Sequence, residues 1–425
     1  MSVLLSAYNF KFIDRLKNLV EHISRASLLG SILPIAIVAS LIMLIALSGL
    51  LLIWERGKLI YLQGQRYKQA NADVESAYVL YRLHPDDKEL TAKEGYCLSN
   101  SRPYSLVRVY REQWGLYEAV RVETADSLAI ACRLLGLEPD MRYTLYYLDN
   151  RQSVTLAGRT ELQGILYLPQ NGVKYGRIGS ENFSGRKISD QAIQYSRKDF
   201  PTLDSNVLNC FDSLWARERF LIPTRTPNKL VKPFYLGATE FIRIDDSEIY
   251  DCILKGRIIL YADSIYIDSS CCIENLIIVA RKIVVGKGTH ISAQLFARDT
   301  VIVESNAELS YPSGVWCTKY IELQEQSEVN GYVMICTAKQ QDQLSICYRQ
   351  ARMARLRGLL WVNGAAQVQG IIAGCVVIGR AIYYTAQGYY KDMFCDFTLL
   401  ENSEFGLPIG VGLSTMRRKE VAWVE

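Results

Sequence analysis

Between Arg25 and Glu55 the chain carries no charged side chain. The centre of that stretch, Leu28–Trp54, reads LLGSILPIAIVASLIMLIALSGLLLIW and is 27 residues long. A helix needs about 20 apolar residues to cross the hydrocarbon layer of a bilayer, and this run exceeds that. A cleaved signal peptide is the first alternative, but its apolar part spans only about 7–15 residues and ends at a small-x-small site. A buried core helix is the second, and an uncharged run of this length argues against it. The sequence therefore predicts a single-pass transmembrane helix at 27–54, with Pro34 near enough to its start to bend it without ending it.

The charges around the run set its orientation only in part. Lys11, Arg15, Lys17 and Arg25 precede it, and Arg56, Lys58, Arg66 and Lys68 follow it, so the positive-inside count is tied. Within residues 1–26, Phe12, Ile13, Leu16, Leu19, Val20 and Ile23 have helical spacing with basic residues between them. Such a segment suits an anionic inner leaflet, and a solvated helix is the alternative. The expectation is a cytoplasmic N-terminus at the cell inner membrane, a lipid bilayer as first partner, and a C-terminal domain exported to the periplasm.

The helical pattern continues past Trp54. Ile60, Tyr67, Val74 and Tyr81 recur every seven residues, and Ala70 and Ala77 fill alternate positions. This is a narrow stripe of the coiled-coil kind, predicting a stalk helix over 55–84 that packs on the domain beyond it or on a neighbouring subunit. Pro85 ends it. Residues 85–150 read as a small mixed α/β region, with strand-like alternation at 105–110 and 116–122 and an apolar patch at 127–135.

From about residue 151 the texture changes to short apolar runs separated by Gly, Asn, Asp and Ser. Three rows recur with one spacing of 18 residues: Ile258-Ile259, Leu276-Ile277 and Gln294-Leu295; Ile265, Ile283 and Val301; Ile273, Ile291 and Leu309. An insertion at Tyr311-Pro312-Ser313 then shifts the rows to Ile321 and Val329. Three rows sharing one period imply three strands per repeat, as in a β-solenoid, whereas sandwich strands lack a long regular repeat. The prediction for 151–413 is a three-strands-per-turn β-helix with Ile258, Ile265, Ile273, Leu276, Ile283, Ile291, Val301, Leu309, Ile321 and Val329 facing its core. The glycines between 158 and 185 mark turns of the early rungs, and residues 331–336, 359–362 and 371–378 resemble further rungs. The segment 340–357 reads as an inserted loop or short helix, and 414–425 as a charged tail ending the stack. The fold class is mainly β, with a transmembrane helix continuing into a stalk helix.

Composition excludes several functions. With 48 Lys+Arg against 44 Asp+Glu, the net charge of +4 gives no concentrated basic surface for nucleic acid. The 11 cysteines include no Cys-x-x-Cys pair, and those set among apolar residues, such as Cys252, Cys336 and Cys375, read as small core hydrophobes. His22, His84 and His290 are scattered, so no metal site and no cofactor are expected. Asp263, Lys282 and Asp299 recur at one turn of successive repeats, with Arg281 and Arg298 beside them. Carbohydrate-cleaving solenoids need clustered carboxylates. A charged corner holding stacked turns in register is the simpler reading, and no catalytic residue is assigned; neither is one to Asp245-Asp246.

The continuation of an apolar Leu/Ile-rich run into Gln65-Arg66-Tyr67-Lys68-Gln69-Ala70-Asn71-Ala72-Asp73-Val74-Glu75 resembles minor, tip-type pseudopilins. That resemblance covers about residues 25–83 and implies a non-enzymatic structural role in assembly with pilin-like membrane proteins. A processing site at Gly30 would place the pilin Glu at Ile35, where this chain departs from the pattern. The stretch LYYLDNRQSVTLAGRTELQGILYLPQNGVKYGRIG, with WGLYEAV and AELSYPS, resembles a family of membrane-anchored Bacteroidetes proteins with pseudopilin-like gene neighbourhoods. The repeats also resemble bactofilins, which implies a polymerising scaffold as one alternative function. A tethered solenoid that binds or processes carbohydrate, with a glycan ligand, is the other.

Overall fold

A computed structural model describes residues 32–99, 105–139, 143–179, 181–336, 345–402, 404–411 and 414–424. The expected amphipathic segment at 1–26, Gly30 and the first residues of the apolar run lie outside these. Among the described residues the protein is mainly β, with 50% strand and 20% helix. It divides into two compact units, 1–69 and 70–425.

The first unit, as described, is a single helical segment. It belongs to α1, Ile32–Leu83, an unbroken helix of 52 residues, about 78 Å long at 1.5 Å per residue. Pro34 sits in the first turn, where its missing N–H leaves no bond unmade. The most apolar stretch has a mean hydropathy of 2.8 and none of it is buried, so the helix is long and apolar enough to cross a membrane. In the apolar part the hydroxyls of Ser40 and Ser48 are satisfied within the helix: Ser40 donates to the Ile37 carbonyl at 2.8 Å and Ser48 to that of Leu44 at 2.7 Å.

The second unit begins with the last turns of α1. Ala70, Val74, Ala77, Tyr78 and Tyr81 pack on Val107, Val109, Val120, Val122 and Leu135. These valines alternate along an antiparallel sheet of five strands, in the order β1 (Tyr96–Cys97), β2 (Leu106–Trp114), β3 (Tyr117–Thr124), β4 (Ile130–Pro139) and β5 (Ser414–Trp423). Two expectations change here. The region expected to be mixed α/β contains no helix between residues 85 and 150 among the described residues. The expected charged tail is β5, paired antiparallel with β4. Its charges are partnered: Arg418 Nε meets Glu118 Oε2 at 3.2 Å, and Glu420 meets Arg133 at 3.1 Å.

The rest of the unit is dominated by parallel strand pairing. One ladder runs Leu230, Leu254, Ile273, Ile291, Leu309, Val329, Leu356, Ile372, Leu399 and Leu162. A second runs Ile265, Ile283, Val301, Ile321, Tyr348, Ala366 and Ala381. A third runs Ile242, Leu260, Ile278, Leu295, Val315, Val333, Leu360 and Val376. Side chains from all three fill one continuous core. Ile258, Ile265, Ile273, Leu276, Ile283, Ile291, Val301, Leu309, Ile321 and Val329 all lie in it, each no more than 2% exposed. The segment 340–357, read from sequence as an inserted loop or helix, contains the paired strand Ile346–Gln350 and the start of Arg355–Gln367; residues 337–344 are not described.

The chain order of the array differs from the sequence expectation. The segments at 145–147, 166–168 and 193–195 do not begin the stack. Leu145 pairs with Val376, Leu166 with Leu145, and Ile193 with Leu166, so these early segments extend the end that the late ones reach. At the opposite end Pro223-Thr224 pairs only with Arg243-Ile244. Residues 196–222 therefore carry the chain back past some eleven strand spacings, about 50 Å at 4.8 Å each.

That return segment contains α2, Ser205–Arg217. The Asp204 side chain caps it by accepting the Asn206 N–H at 3.0 Å. Its apolar residues Val207, Cys210, Phe211, Leu214 and Trp215 fall at i, i+3, i+4, i+7 and i+8 and are buried. They lie on the other side of the third ladder, whose strands are apolar at consecutive positions because both faces are covered: Leu260 faces the inner core, while Ile259 and Tyr261 face α2 and its neighbours.

Candidate functional site

Three places concentrate unusual side-chain chemistry: the stripe of α1, the outer face of the third ladder, and the charged corner of the stack.

The stripe divides. Ala70, Val74, Ala77 and Tyr81 are buried on the antiparallel sheet, whereas Ile60 is 69% and Tyr67 53% exposed. The buried half is fixed by Arg133 of β4, itself 4% exposed. Its guanidinium lies between two rings, 4.1 Å from the Tyr78 centroid and 3.6 Å from that of Trp423. It also pairs with Glu75 of α1 and, at 3.1 Å, with Glu420 of β5. One cation thus joins helix, sheet and C-terminal strand. A planar guanidinium suits this position, since it can stack on both faces and donate at its edge. Sequence periodicity found the stripe but not Arg133, Tyr78 or Trp423.

The outer face of the third ladder carries a row of large aromatic side chains, Tyr261, Phe296, Trp316, Tyr332 and Trp361, all buried. α2 and its flanks cover them. Phe211 stacks on Trp316 with centroids 5.3 Å apart, Phe200 meets Trp361 edge-on at 5.2 Å, and Arg298 lies 4.2 Å from the Trp215 ring. An outward aromatic row is therefore present but covered by the chain's own residues. One polar side chain interrupts it. Gln294 takes the position held by Ile259 and Ile277 in the neighbouring strands. Its Nε2 donates to the Trp114 carbonyl at 2.9 Å, and its Oε1 accepts from the Leu116 N–H at 2.8 Å and the Tyr332 hydroxyl at 2.9 Å. The hairpin between β2 and β3 is held to the array by these bonds.

Two clefts open beside this junction. One, of about 100 Å³, is lined by Tyr110, Glu112, Arg121, Cys132, Phe234 and Arg257 among others. The other, of about 230 Å³, shares Glu112 and Arg257 and adds Cys210, Ser213, Arg217 and Thr239. Arg257 is already engaged: it pairs with Glu112 and donates from Nε to Thr239 Oγ1 at 2.8 Å. Burial raises the Cys210 thiol to about 12 and the Cys132 thiol to about 11, so neither is a ready nucleophile.

The charged corner forms an ion-pair chain across successive turns. Arg281 reaches Asp263 at 3.6 Å and Asp299 at 3.4 Å, and Asp299 also pairs with Lys319. It is Arg281, not Lys282, that bridges the two carboxylates; Lys282 is exposed and stands in backbone register with Ser264 and Thr300. The Lys319 ammonium bonded to Asp299 holds that carboxyl below the usual range, with Arg281 adding to the effect. Asp246 is likewise spent on the fold, accepting the N–H and hydroxyl of Thr226 on an adjacent turn at 2.8 Å each. His290 lies 3.3 Å from Glu308 at the surface. Among the described residues, no group of three or more His, Cys, Asp or Glu is placed to hold a metal ion. No family model matches the chain, no curated protein is significantly similar to it, and no solved structure matches its fold.

Proposed function

We propose that this chain is a non-enzymatic structural protein of the cell envelope: a single-pass membrane anchor, a stalk, and a β-helical head with three strands per turn. The three parallel ladders support the last element. From Leu254 to Ala381 the chain visits the three ladders in turn, as in Leu254, Leu260, Ile265 and then Ile273.

The observation that carries the assembly reading is the divided stripe. One heptad register runs from Ile60 to Tyr81. Its distal half is closed by the chain's own sheet, and its proximal half is exposed. A helical apolar stripe is stabilised when a second surface covers it. The proximal half, next to the bilayer, is the part left for another helix. Pairing with equivalent or pilin-like membrane helices there, with the N-terminus cytoplasmic and the head exported, is the proposed mode of action.

The test is site-specific photo-crosslinking in intact membranes, with the reactive group at Ile60, Tyr67 or Gln65. Discrete protein adducts at 60 and 67, but not at 65 on the opposite face, are expected. Adducts to lipid alone, or equal yields at all three positions, would reject helix pairing through this stripe.

A further inference from the structure

Cys252 and Cys271 stand on successive turns of the array. The Cys272 N–H donates to the Cys252 carbonyl at 2.8 Å, and Ile253 pairs with Cys272, so Cys252 and Cys271 are lateral neighbours immediately before adjacent parallel strands. Adjacent strands lie about 4.8 Å apart, inside the range of roughly 4.4–6.8 Å between Cα atoms that a disulfide spans. Both thiols point the same way. Their sulfurs are 3.4 Å apart, with Cys252 donating to Cys271 and Cys271 donating to the Ile249 carbonyl at 3.2 Å. Cys272 faces away, its sulfur 3.8 Å from Glu274 Oε1. None of the 11 cysteines is in a disulfide bond.

From this geometry we infer that Cys252 and Cys271 are a dithiol–disulfide site, oxidised by thiol–disulfide exchange with a small disulfide or a thioredoxin-type disulfide donor. This goes beyond the assembly role and does not depend on it. The two turns that cover the pair have exposed tips at Tyr250-Asp251 and Ser269-Ser270. Cys271 is the more accessible thiol, 5% exposed against 1% for Cys252. Cys271 is therefore the attacking group. Its thiolate displaces one thiolate from the donor R–S–S–R and forms a mixed disulfide. The Cys252 sulfur then attacks the Cys271 sulfur of that bond and expels the second thiolate. Two electrons pass to the donor, and the two thiol protons leave with its two thiols. The sulfurs need close only from 3.4 Å to about 2.05 Å, which a rotamer adjustment within the turns supplies. The product staples two turns near the array's open edge at Pro223-Thr224.

The experiment uses the full chain in detergent, first reduced, then equilibrated over a range of glutathione disulfide to glutathione ratios. It is then denatured in acid and alkylated with a maleimide. The expected end point is loss of the maleimide adducts on Cys252 and Cys271, two of the 11 cysteines, with the tryptic peptides 244–255 and 258–281 joined through Cys252; glutathione on the exposed Cys97 is counted separately. C272S should leave that link intact. C252S should instead carry glutathione on Cys271. Cys252 and Cys271 both alkylated at every ratio, or a link that disappears in C272S, would overturn the assignment. Should C252S fail to fold, the adducts on Cys252 and Cys271 and the C272S link still decide it.

Discussion

The side-chain carbonyl of Gln294 accepts the backbone N–H of Leu116 at 2.8 Å, across 178 residues of sequence. With its bonds to the Trp114 carbonyl and the Tyr332 hydroxyl, the amide satisfies three buried polar groups that apolar neighbours could not. Gln294→Leu, which restores the apolar pattern of the ladder, is therefore expected to destabilise. Each orphaned buried group costs about 1–3 kcal/mol, and with some relaxation of the hairpin the loss should be about 2–4 kcal/mol. Ile277→Leu, on the same ladder, should cost less than about 1.5 kcal/mol. Urea unfolding followed by tryptophan fluorescence compares the two; equal midpoints would show that the hairpin is held by packing alone.

Arg133 makes a different kind of junction. Desolvated cation–π contacts contribute up to about 2 kcal/mol each, so Arg133→Met, which keeps the stem and loses the charge, should cost about 2–4 kcal/mol. Arg133→Lys should recover less than half of that. An ammonium cannot face the Tyr78 and Trp423 rings together while serving Glu75 and Glu420. Because the loss falls on the end of α1, hydrogen exchange at amides 70–83 should rise in both variants, with the stacked ladders unaffected.

The corner chain gives a dependence on pH. The carboxyl of Asp299 is depressed in the folded state, so its contribution is present above the ordinary aspartate value of about 4 and is lost as pH falls through the lower folded value. Its side chain is 31% exposed, and surface pairs contribute about 0.2–1 kcal/mol. Asp299→Asn should thus be slightly destabilising at pH 7, with the difference from the parent shrinking as pH falls below about 4. A loss that persists at low pH would place the effect of Asp299 outside its ion pairs.

How far the sequence foretold these features depends on the range over which each is encoded. The 18-residue rows were legible because Ile273, Ile291 and Leu309 repeat within one short window and face one core. α2 was legible in principle, through the Asp204 cap and the spacing of Val207, Phe211 and Leu214. So was the cover over the third ladder, because runs such as Ile258–Ala262 are apolar on both strand faces. The joining of Leu145 to Val376 was not: parallel strands so distant in sequence share no turn, so nothing local records their pairing. β5 was hidden for another reason. Arg418 and Glu420 look like solvated charges, and only their partners Glu118 and Arg133, some 300 residues away, turn the segment into a strand. The stripe of α1 shows its period in sequence, but the point after Tyr67 where the covering sheet begins is set by tertiary packing.

The apolar part of α1 gives the last prediction. Leu44 is near the middle of the stretch whose mean hydropathy is 2.8, and it is exposed. If this stretch spans the bilayer, Leu44→Arg puts a charge at its centre, costing about 2.5–3.5 kcal/mol of insertion free energy. That is roughly a hundredfold in the insertion equilibrium, since each 1.4 kcal/mol is a factor of ten. The fraction of chain resisting carbonate extraction should fall sharply in L44R and stay unchanged in L44I, a control of equal size and polarity. The mass of the membrane-bound chain separates anchor from signal sequence. A retained anchor keeps residues 32–54, and a removed signal leaves a shorter chain that carbonate releases whether or not Leu44 is replaced.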